Sequence, residues 1–427
     1  MKQIILILVF IQGILMGAQI EHLQIENKNI PIIFEKQNSL PTFNLQLVFK
    51  NSGYIKDGEK SGLAALASRV LNEGTLEDGS VKFAEKLESL AISLTVSHGF
   101  ETFVIELSSI TDVYKNGLEL LNELLKSPNY KEESLNKVKT ILIGSLKRKE
   151  NDFDYVSRNE LNKIVFKDTA LENPSSGTIE SINKIQLEDV KEFISSTLTL
   201  DNLIIVAGGD IELNDLKNDI LPLVKSLKEG KESGLTTIKA SNEKVVNILE
   251  KETEQAYIYF ASPFNTEVND KKNYIAKVAS FVLGGSGFGS RLMEEIRVKR
   301  GLAYSAYGQI SINKSHSYFT GYLQTKNETA NEAKELVEKI VKEFVKKGIT
   351  QDELNAAKNF LTGSEPLRVE TLSQRLNRAF TLYYRGLEQD YSNKELEEIE
   401  KLTLDEINEY IKLHSEIKNL SFSIVRK

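Results

Sequence analysis

Apolar and polar positions follow the same order in two stretches of the chain. Apolar residues at every second position predict strands, and those three and four residues apart predict amphipathic helices. Strands precede a cluster of helices in both stretches, which predicts an α+β fold with helices packed on one face of a mostly antiparallel sheet. The predicted elements are 45–49, 62–71, 93–96, 102–108, 114–125, 131–149 and 203–207, then 257–261, 274–283, 305–312, 318–324, 329–346, 350–362 and 420–425.

Local similarities indicate that these stretches are homologous halves. Four segment pairs match in one order along the chain, at nearly constant separation, which is typical of an internal duplication. The charged, Gly-containing segment 225–234 separates them and predicts a linker. We therefore expect an N-terminal half at 19–224, a linker at 225–245 and a C-terminal half at 246–427. The matched segments are 66–71 with 278–283, 102–109 with 318–325, 135–145 with 354–364, and 202–203 with 419–420.

The N-terminus is typical of an export signal. Lys2 precedes the apolar run 4–16, and the small residues Gly17 and Ala18 follow it. A transmembrane helix needs about 20 apolar residues, so this run is too short to span a bilayer comfortably. We predict a signal peptide at 1–18, export to the periplasm, and no membrane association after cleavage. An uncleaved anchor and a buried N-terminal strand are the alternatives.

Composition excludes several kinds of site. The 427 residues include no Cys and only four His, at 22, 98, 316 and 414. Disulfides, iron–sulfur clusters, Cys-built zinc sites and thiol nucleophiles are therefore excluded. The net charge of −7, with both signs interspersed, argues against a nucleic-acid partner.

Several segments resemble one peptidase family. Residues 62–64 and 73–75 frame the first predicted helix with G-L-A and E-G-T. The second half contains G-G at 284–285, S-R-L at 290–292 and the long string E-I-R-V-K-R-G-L-A-Y-S at 295–305. The whole mature chain resembles the insulinase/pitrilysin family of inverted zincins, most closely its short bacterial members related to mitochondrial processing peptidase. The resemblance implies two homologous α+β halves.

The resemblance fails at the zinc site. Peptidases of this family carry H-x-x-E-H on the first helix, because residues at i and i+4 share one helix face and can bind one zinc ion. A Glu on a later helix completes the family's site. The matching positions hold Ala65, Ser68 and Arg69, and the distal position falls on Ser145. We therefore expect no metal in this chain.

The substrate-binding side of the family's site is retained. In the family, an Arg and a Tyr from the second half bind the peptide and steady the tetrahedral intermediate. Arg297 and Tyr304 match these residues. Guanidinium and phenol groups are suitable donors to a developing oxyanion. The alternative is an ordinary surface Arg and a Tyr at the edge of the core.

Three other features have structural interpretations. His98 and His316 are isolated beside predicted strands, so we expect surface or hydrogen-bonded residues rather than metal ligands. The glycine-rich run at 284–289 fits neither nucleotide-binding fingerprint. We expect one helix to end there and another to begin with Ser290 as its N-cap.

The leading hypothesis is a zinc-less subunit of an exported two-subunit metallopeptidase, inactive alone. A homologous partner would carry H-x-x-E-H and the zinc, the substrate would be an unfolded peptide, and Arg297 and Tyr304 would complete the partner's site. This chain itself would need no cofactor. A second hypothesis is a non-catalytic peptide-binding or scaffold protein, like the respiratory-complex core subunits that share the family's fold. A peptidase with an atypical metal site is the third.

Overall fold

The computed structural model describes residues 17–231 and 234–427. Residues 1–16, most of the predicted signal peptide, lie outside the described residues, as do 232–233 of the predicted linker. Among the helices of the two described ranges, none is long and apolar enough to cross a membrane. The domain boundaries remain predictions.

The described residues form strands and α-helices in the order that the hydrophobic pattern predicts, with further elements between them. The strands are β1 (Gln19–Ile25), β2 (Lys28–Lys36), β3 (Thr42–Lys50), β4 (Ser93–His98), β5 (Thr102–Ile110), β6 (Leu203–Gly209), β7 (Ile238–Lys239), β8 (Val246–Glu250), β9 (Gln255–Pro263), β10 (Ala303–Ile312), β11 (His316–Lys326) and β12 (Ser421–Arg426). The helices are α1 (Leu63–Leu71), α2 (Gly79–Ser89), α3 (Tyr114–Lys126), α4 (Glu132–Lys149), α5 (Phe153–Val165), α6 (Ile179–Lys184), α7 (Leu187–Thr197), α8 (Leu213–Lys225), α9 (Asn273–Ser280), α10 (Arg291–Met293), α11 (Ala330–Lys347), α12 (Gln351–Gly363), α13 (Leu372–Arg385), α14 (Tyr391–Lys401) and α15 (Leu404–Leu413).

Two separate sheets organise the fold. The first has the strand order β1-β2-β6-β3-β5-β4, and the second has the order β10-β11-β9-β12-β8. In the first sheet the β2–β6 pair is parallel, and in the second the β12–β8 pair is parallel and β7 adds a short parallel pairing to β11. The other neighbours are antiparallel. The predicted α+β class with two mostly antiparallel sheets is confirmed.

Alternating side chains of β3 face opposite sides of the first sheet, where two different cores lie. In β3, Leu45 and Leu47 face the main core of the first half, whereas Val48 faces the opposite side of the sheet. Helices α1–α4 and α6–α8 contribute the rest of that main core. The second half repeats this arrangement, with α9, α11, α12, α14 and α15 packed against one face of its sheet. This pairing of a period-two strand with amphipathic helices is what the sequence pattern predicts.

The second face of each sheet is covered by a helix from the other half. Helix α13 packs Leu372, Leu376 and Ala379 onto the first sheet, against Val48 and its neighbours. Helix α5 lies on the second sheet, where the buried Ser157 hydroxyl donates to the Ser423 carbonyl over 2.9 Å. The two halves are therefore interlocked through exchanged helices, an arrangement that the coarse sequence pattern did not predict.

Candidate functional site

The positions that match the family's zinc ligands lie on α1 of the first half. Ala65 is only 1% exposed, and Ser68 is buried beside it. The Ser68 hydroxyl donates to the Ala65 carbonyl over 3.1 Å. Arg69 points to solvent, and Ser145 is half-buried on α4. Helix α1 thus presents a methyl group, a hydroxyl and a cation where the peptidases present two imidazoles and a carboxylate.

His98, at the end of β4, lies beside these positions. Its Nδ1 is 3.0 Å from the Ser68 hydroxyl, as expected for a hydrogen-bonded structural histidine. Burial lowers the pKa of His98, and the nearby Arg69 charge lowers it further. The imidazole is therefore held neutral to lower pH than an ordinary histidine.

This arrangement does not fit a zinc ion. The methyl group of Ala65 offers no lone pair, Ser68 is engaged with its neighbours, and the Arg69 cation opposes binding of a divalent cation. Across residues 17–231 and 234–427, no group of three or more His, Asp or Glu side chains is placed to hold a metal ion.

Asp57 stabilises the start of α1. This residue was not identified from the sequence. Its carboxylate accepts hydrogen bonds from the backbone N–H groups of Gly62, over 2.7 Å, and Ala64, over 2.9 Å. Burial raises the pKa of Asp57 to about 7, although these backbone hydrogen bonds act in the opposite direction. The sequence feature that could have pointed to Asp57 is its position a few residues before a predicted helix, where an Asp side chain can accept hydrogen bonds from the first backbone N–H groups.

Arg297 lies on an irregular helical turn of the second half. After the short helix α10, the backbone widens over Glu294–Val298, and the N–H of Lys299 donates to the Glu294 carbonyl five residues earlier, over 3.0 Å. Such π-helical turns are rare and occur frequently at functional sites. The buried Ile296 anchors the turn in the core, so the neighbouring Arg297 is displayed from a fixed base.

Tyr304 lies at an irregularity near the start of β10. Pairing with β11 shifts register between Ala303 and Ala306, so Tyr304 falls within the shift. Irregularities of this kind locally disrupt pairing and redirect a side chain. Tyr304 is 83% exposed, which excludes the interpretation of a Tyr at the core edge.

The side chains of Arg297 and Tyr304 lie against each other. The Arg297 guanidinium carbon lies 4.5 Å from the centroid of the Tyr304 ring and 4.6 Å from that of Phe288. Among the described residues, the Arg297 side chain has neither a hydrogen-bond acceptor nor a carboxylate within ion-pair distance. The arrangement therefore offers a cation and a phenol to an external acceptor.

Phe288 is the member of this cluster that sequence reasoning missed. It belongs to the glycine-rich run, where the predicted N-cap is confirmed because the Ser290 side chain accepts from the Met293 N–H. The sequence feature that could have pointed to Phe288 is its place as a single aromatic residue between Gly287 and Gly289. We call Phe288, Arg297 and Tyr304 the Arg297 cluster.

Comparisons with known proteins agree with the architecture. Residues 184–361 match the family described as Peptidase M16 inactive domain. A non-peptidase homolog, YmxG, from Helicobacter pylori is 43% identical over 418 residues, covering 97% of this chain and 96% of the relative.

Two solved structures share the fold at low sequence identity. A peptidase M16 inactive domain from Pseudomonas fluorescens superposes with a TM-score of 0.87 at 23% identity, covering 96% of this chain and 98% of that chain. A protease from Helicobacter pylori has a TM-score of 0.83 at 16% identity, covering 96% and 100%. With the altered zinc positions, these findings show that the chain belongs to the peptidase M16 family, the insulinase/pitrilysin family that its sequence resembles, as an inactive peptidase homologue.

Proposed function

We propose that this chain is the zinc-less subunit of an exported, periplasmic two-subunit metallopeptidase that acts on unfolded peptides. A homologous partner carries H-x-x-E-H and the zinc ion. This chain supplies Arg297 and Tyr304, which bind the peptide and steady the transition state in the partner's site. By itself the chain is inactive.

The exposed Arg297–Tyr304 pair is the observation that supports this proposal most directly. Both residues are displayed by irregular backbone, and the Arg297 cation has no acceptor among the described residues. A donor aimed at a developing oxyanion contributes on the order of 3 kcal/mol to transition-state stabilisation. Within residues 17–231 and 234–427, no hydrogen bond, ion pair or ring contact of the Arg297 or Tyr304 side chain extends beyond the cluster that they form with Phe288. Both side chains are therefore free to bind a substrate held by another subunit.

Only one of the two sides of the family's site is altered in this chain. Ala65, Ser68 and Arg69 offer no zinc site, whereas the groups opposite that site in the family are retained. Helicobacter pylori contains both a non-peptidase homologue of this chain and a protease of the same fold. The coexistence of the two kinds of chain in one organism supports a partnership here.

The test is reconstitution with the H-x-x-E-H paralogue of the same organism. We expect hydrolysis of an unstructured fluorogenic peptide by the pair, with zinc in the paralogue alone. Arg297→Ala and Tyr304→Phe should each lower kcat/KM about 100-fold. Arg300→Ala and Tyr307→Phe are matched controls, because Arg300 pairs with Glu295 and the Tyr307 hydroxyl donates to Gln309.

Three outcomes would overturn the proposal. If the two-subunit complex keeps its full activity with Arg297→Ala and with Tyr304→Phe, the shared site is excluded. Stoichiometric zinc with activity in the isolated chain would show a peptidase with an atypical metal site. A stable homodimer without any peptidase partner would instead favour a binding or scaffold protein. Cell fractionation with N-terminal sequencing of the mature chain tests export and cleavage near residue 18.

A further inference from the structure

The loop that carries Phe288 depends on two glycines. Gly287 has φ +65° and Gly289 has φ +101°, both in the left-handed region that other residues rarely adopt. A Cβ at either position would meet no atom within 4 Å, so the requirement comes from the backbone and not from lack of space. The backbone is thus bent on both sides of Phe288, which sets the direction of this one side chain.

The position of Phe288 is unusual for an aromatic residue. Phe288 is 70% exposed, so the hydrophobic core gains little from it. The ring packs instead against the Arg297 guanidinium, 4.6 Å from its carbon. Tyr304 contacts the same guanidinium at 4.5 Å. Two exposed rings therefore restrict one cation, which pairs with no carboxylate in the part of the chain that the structure describes.

The contact has a geometric consequence. Guanidinium groups stack on aromatic rings through their planar faces, whereas all five N–H donors lie in the plane. The rings of Phe288 and Tyr304 therefore limit rotation of the Arg297 side chain. The N–H groups in the plane of the guanidinium stay available to donate hydrogen bonds. A peptide carbonyl oxygen, or the oxyanion formed from it, would accept hydrogen bonds from these N–H groups in the plane of the guanidinium.

We propose that Phe288 is a positioning residue of the Arg297 cluster. It holds the Arg297 guanidinium in the orientation that donates to a peptide oxygen, without itself touching the reacting atoms. This inference rests on the proposed function for the identity of the acceptor, a peptide oxygen in the partner's site. The orientation of Arg297 by Phe288 is a property of the isolated chain and can be tested there.

The first experiment uses the isolated chain, labelled with ¹⁵N-arginine. The Nε–H resonance of Arg297, assigned with Arg297→Lys, should show a ring-current shift in the wild-type protein. Phe288→Leu should remove part of that shift and speed solvent exchange of the Nε–H, whereas Phe288→Tyr should preserve both. Phe360→Leu is the matched control, since Phe360 is also an exposed phenylalanine of the second half and its ring contacts Phe281 instead. An unchanged Arg297 resonance in Phe288→Leu would overturn the proposal.

The second experiment uses the reconstituted pair and separates kcat from KM. Loss of one exposed cation–π contact predicts a fall in kcat of roughly two- to fivefold in Phe288→Leu. We expect KM to stay within twofold, Phe288→Tyr to restore kcat, and Phe360→Leu to match the wild-type pair. A raised KM with unchanged kcat would make Phe288 a peptide contact and would overturn the positioning role.

The two arms distinguish failure of this inference from failure of the proposed function. If Arg297→Ala leaves the two-subunit complex fully active, the proposed function fails. The Arg297 resonance in the isolated chain still shows whether Phe288 orients the guanidinium. If Arg297→Ala abolishes activity while Phe288→Leu alters neither kcat nor the resonance, only the inference about Phe288 fails.

Discussion

The side-chain amide of Asn72 pairs with both backbone groups of Val96. Its Nδ2 donates to the Val96 carbonyl over 2.8 Å, and its Oδ1 accepts from the Val96 N–H over 2.9 Å. Val96 lies on β4, an edge strand whose other side pairs with β5. Asn72 therefore occupies the free edge of β4 at Val96, as a residue of an added strand would. An extended peptide could pair at this point only by displacing Asn72.

Removing this side chain should open the edge of β4. We expect Asn72→Ala to lower the free energy of unfolding by about 1–3 kcal/mol, since it removes three hydrogen bonds: the two to Val96 and the one that Nδ2 donates to the Ser68 carbonyl over 3.0 Å. The Val96 amide should exchange with solvent faster in native-state hydrogen exchange. Asn136→Ala, at an exposed site on α4, is the control. Unchanged exchange at Val96 would contradict the role assigned to Asn72.

A second prediction concerns the ion pair that joins the halves. Glu35 of β2, only 4% exposed, accepts from the Arg375 Nε of α13 over 2.6 Å. Arg375→Met should destabilise the protein by about 3–5 kcal/mol, because it leaves a buried carboxylate without its cation. The double variant with Glu35→Leu should recover most of this loss in urea unfolding. Arg385→Met on the same helix is the control, and equal effects of Arg385→Met and Arg375→Met would refute the argument.

Asp57 should make stability depend on pH. Its pKa is raised from 3.8 to about 7 in the folded protein, so the folded state binds the proton more tightly than the unfolded state. The resulting stabilisation is complete below about pH 4 and is lost as the pH rises through about 7, by on the order of 4 kcal/mol. Asp57→Asn should flatten this dependence and exceed the wild-type stability at pH 8. Urea unfolding across pH 4–8 is the measurement, with the exposed Asp405→Asn as control. A wild-type protein that gains stability over this range would exclude the mechanism.

The fourth prediction tests the charge next to His98. Burial lowers the pKa of His98 first, and the Arg69 charge lowers it further. Arg69→Gln should therefore raise the pKa of His98, without restoring it fully because burial remains. An NMR titration of the imidazole measures this, and Arg426→Gln in the other half should leave the titration unchanged. A pKa of His98 that is the same in Arg69→Gln and the wild type would show that the charge has no effect.

The order of elements could largely be predicted because hydrophobic periodicity is a local property. The paired strands and long helices occur where the pattern predicted them, and the resemblance to the family is confirmed. Strands β1 and β2 were not predicted, although β2 lies inside the first sheet. The exchange of α5 and α13 was also missed, since an amphipathic pattern shows that a helix has an apolar face but not which sheet covers it.

Residue identity alone establishes which chemical groups are present. The absence of zinc ligands at 65, 68 and 69 and the retention of Arg297 and Tyr304 follow from residue identity within a recognisable motif. The way in which these side chains are oriented and exposed depends on how the folded chain packs. Phe288 meets Arg297, Asn72 closes β4 and Arg375 reaches Glu35 through contacts between separate elements. Such contacts depend on how sheets, irregular turns and exchanged helices pack in space, and no spacing along a single chain encodes them directly.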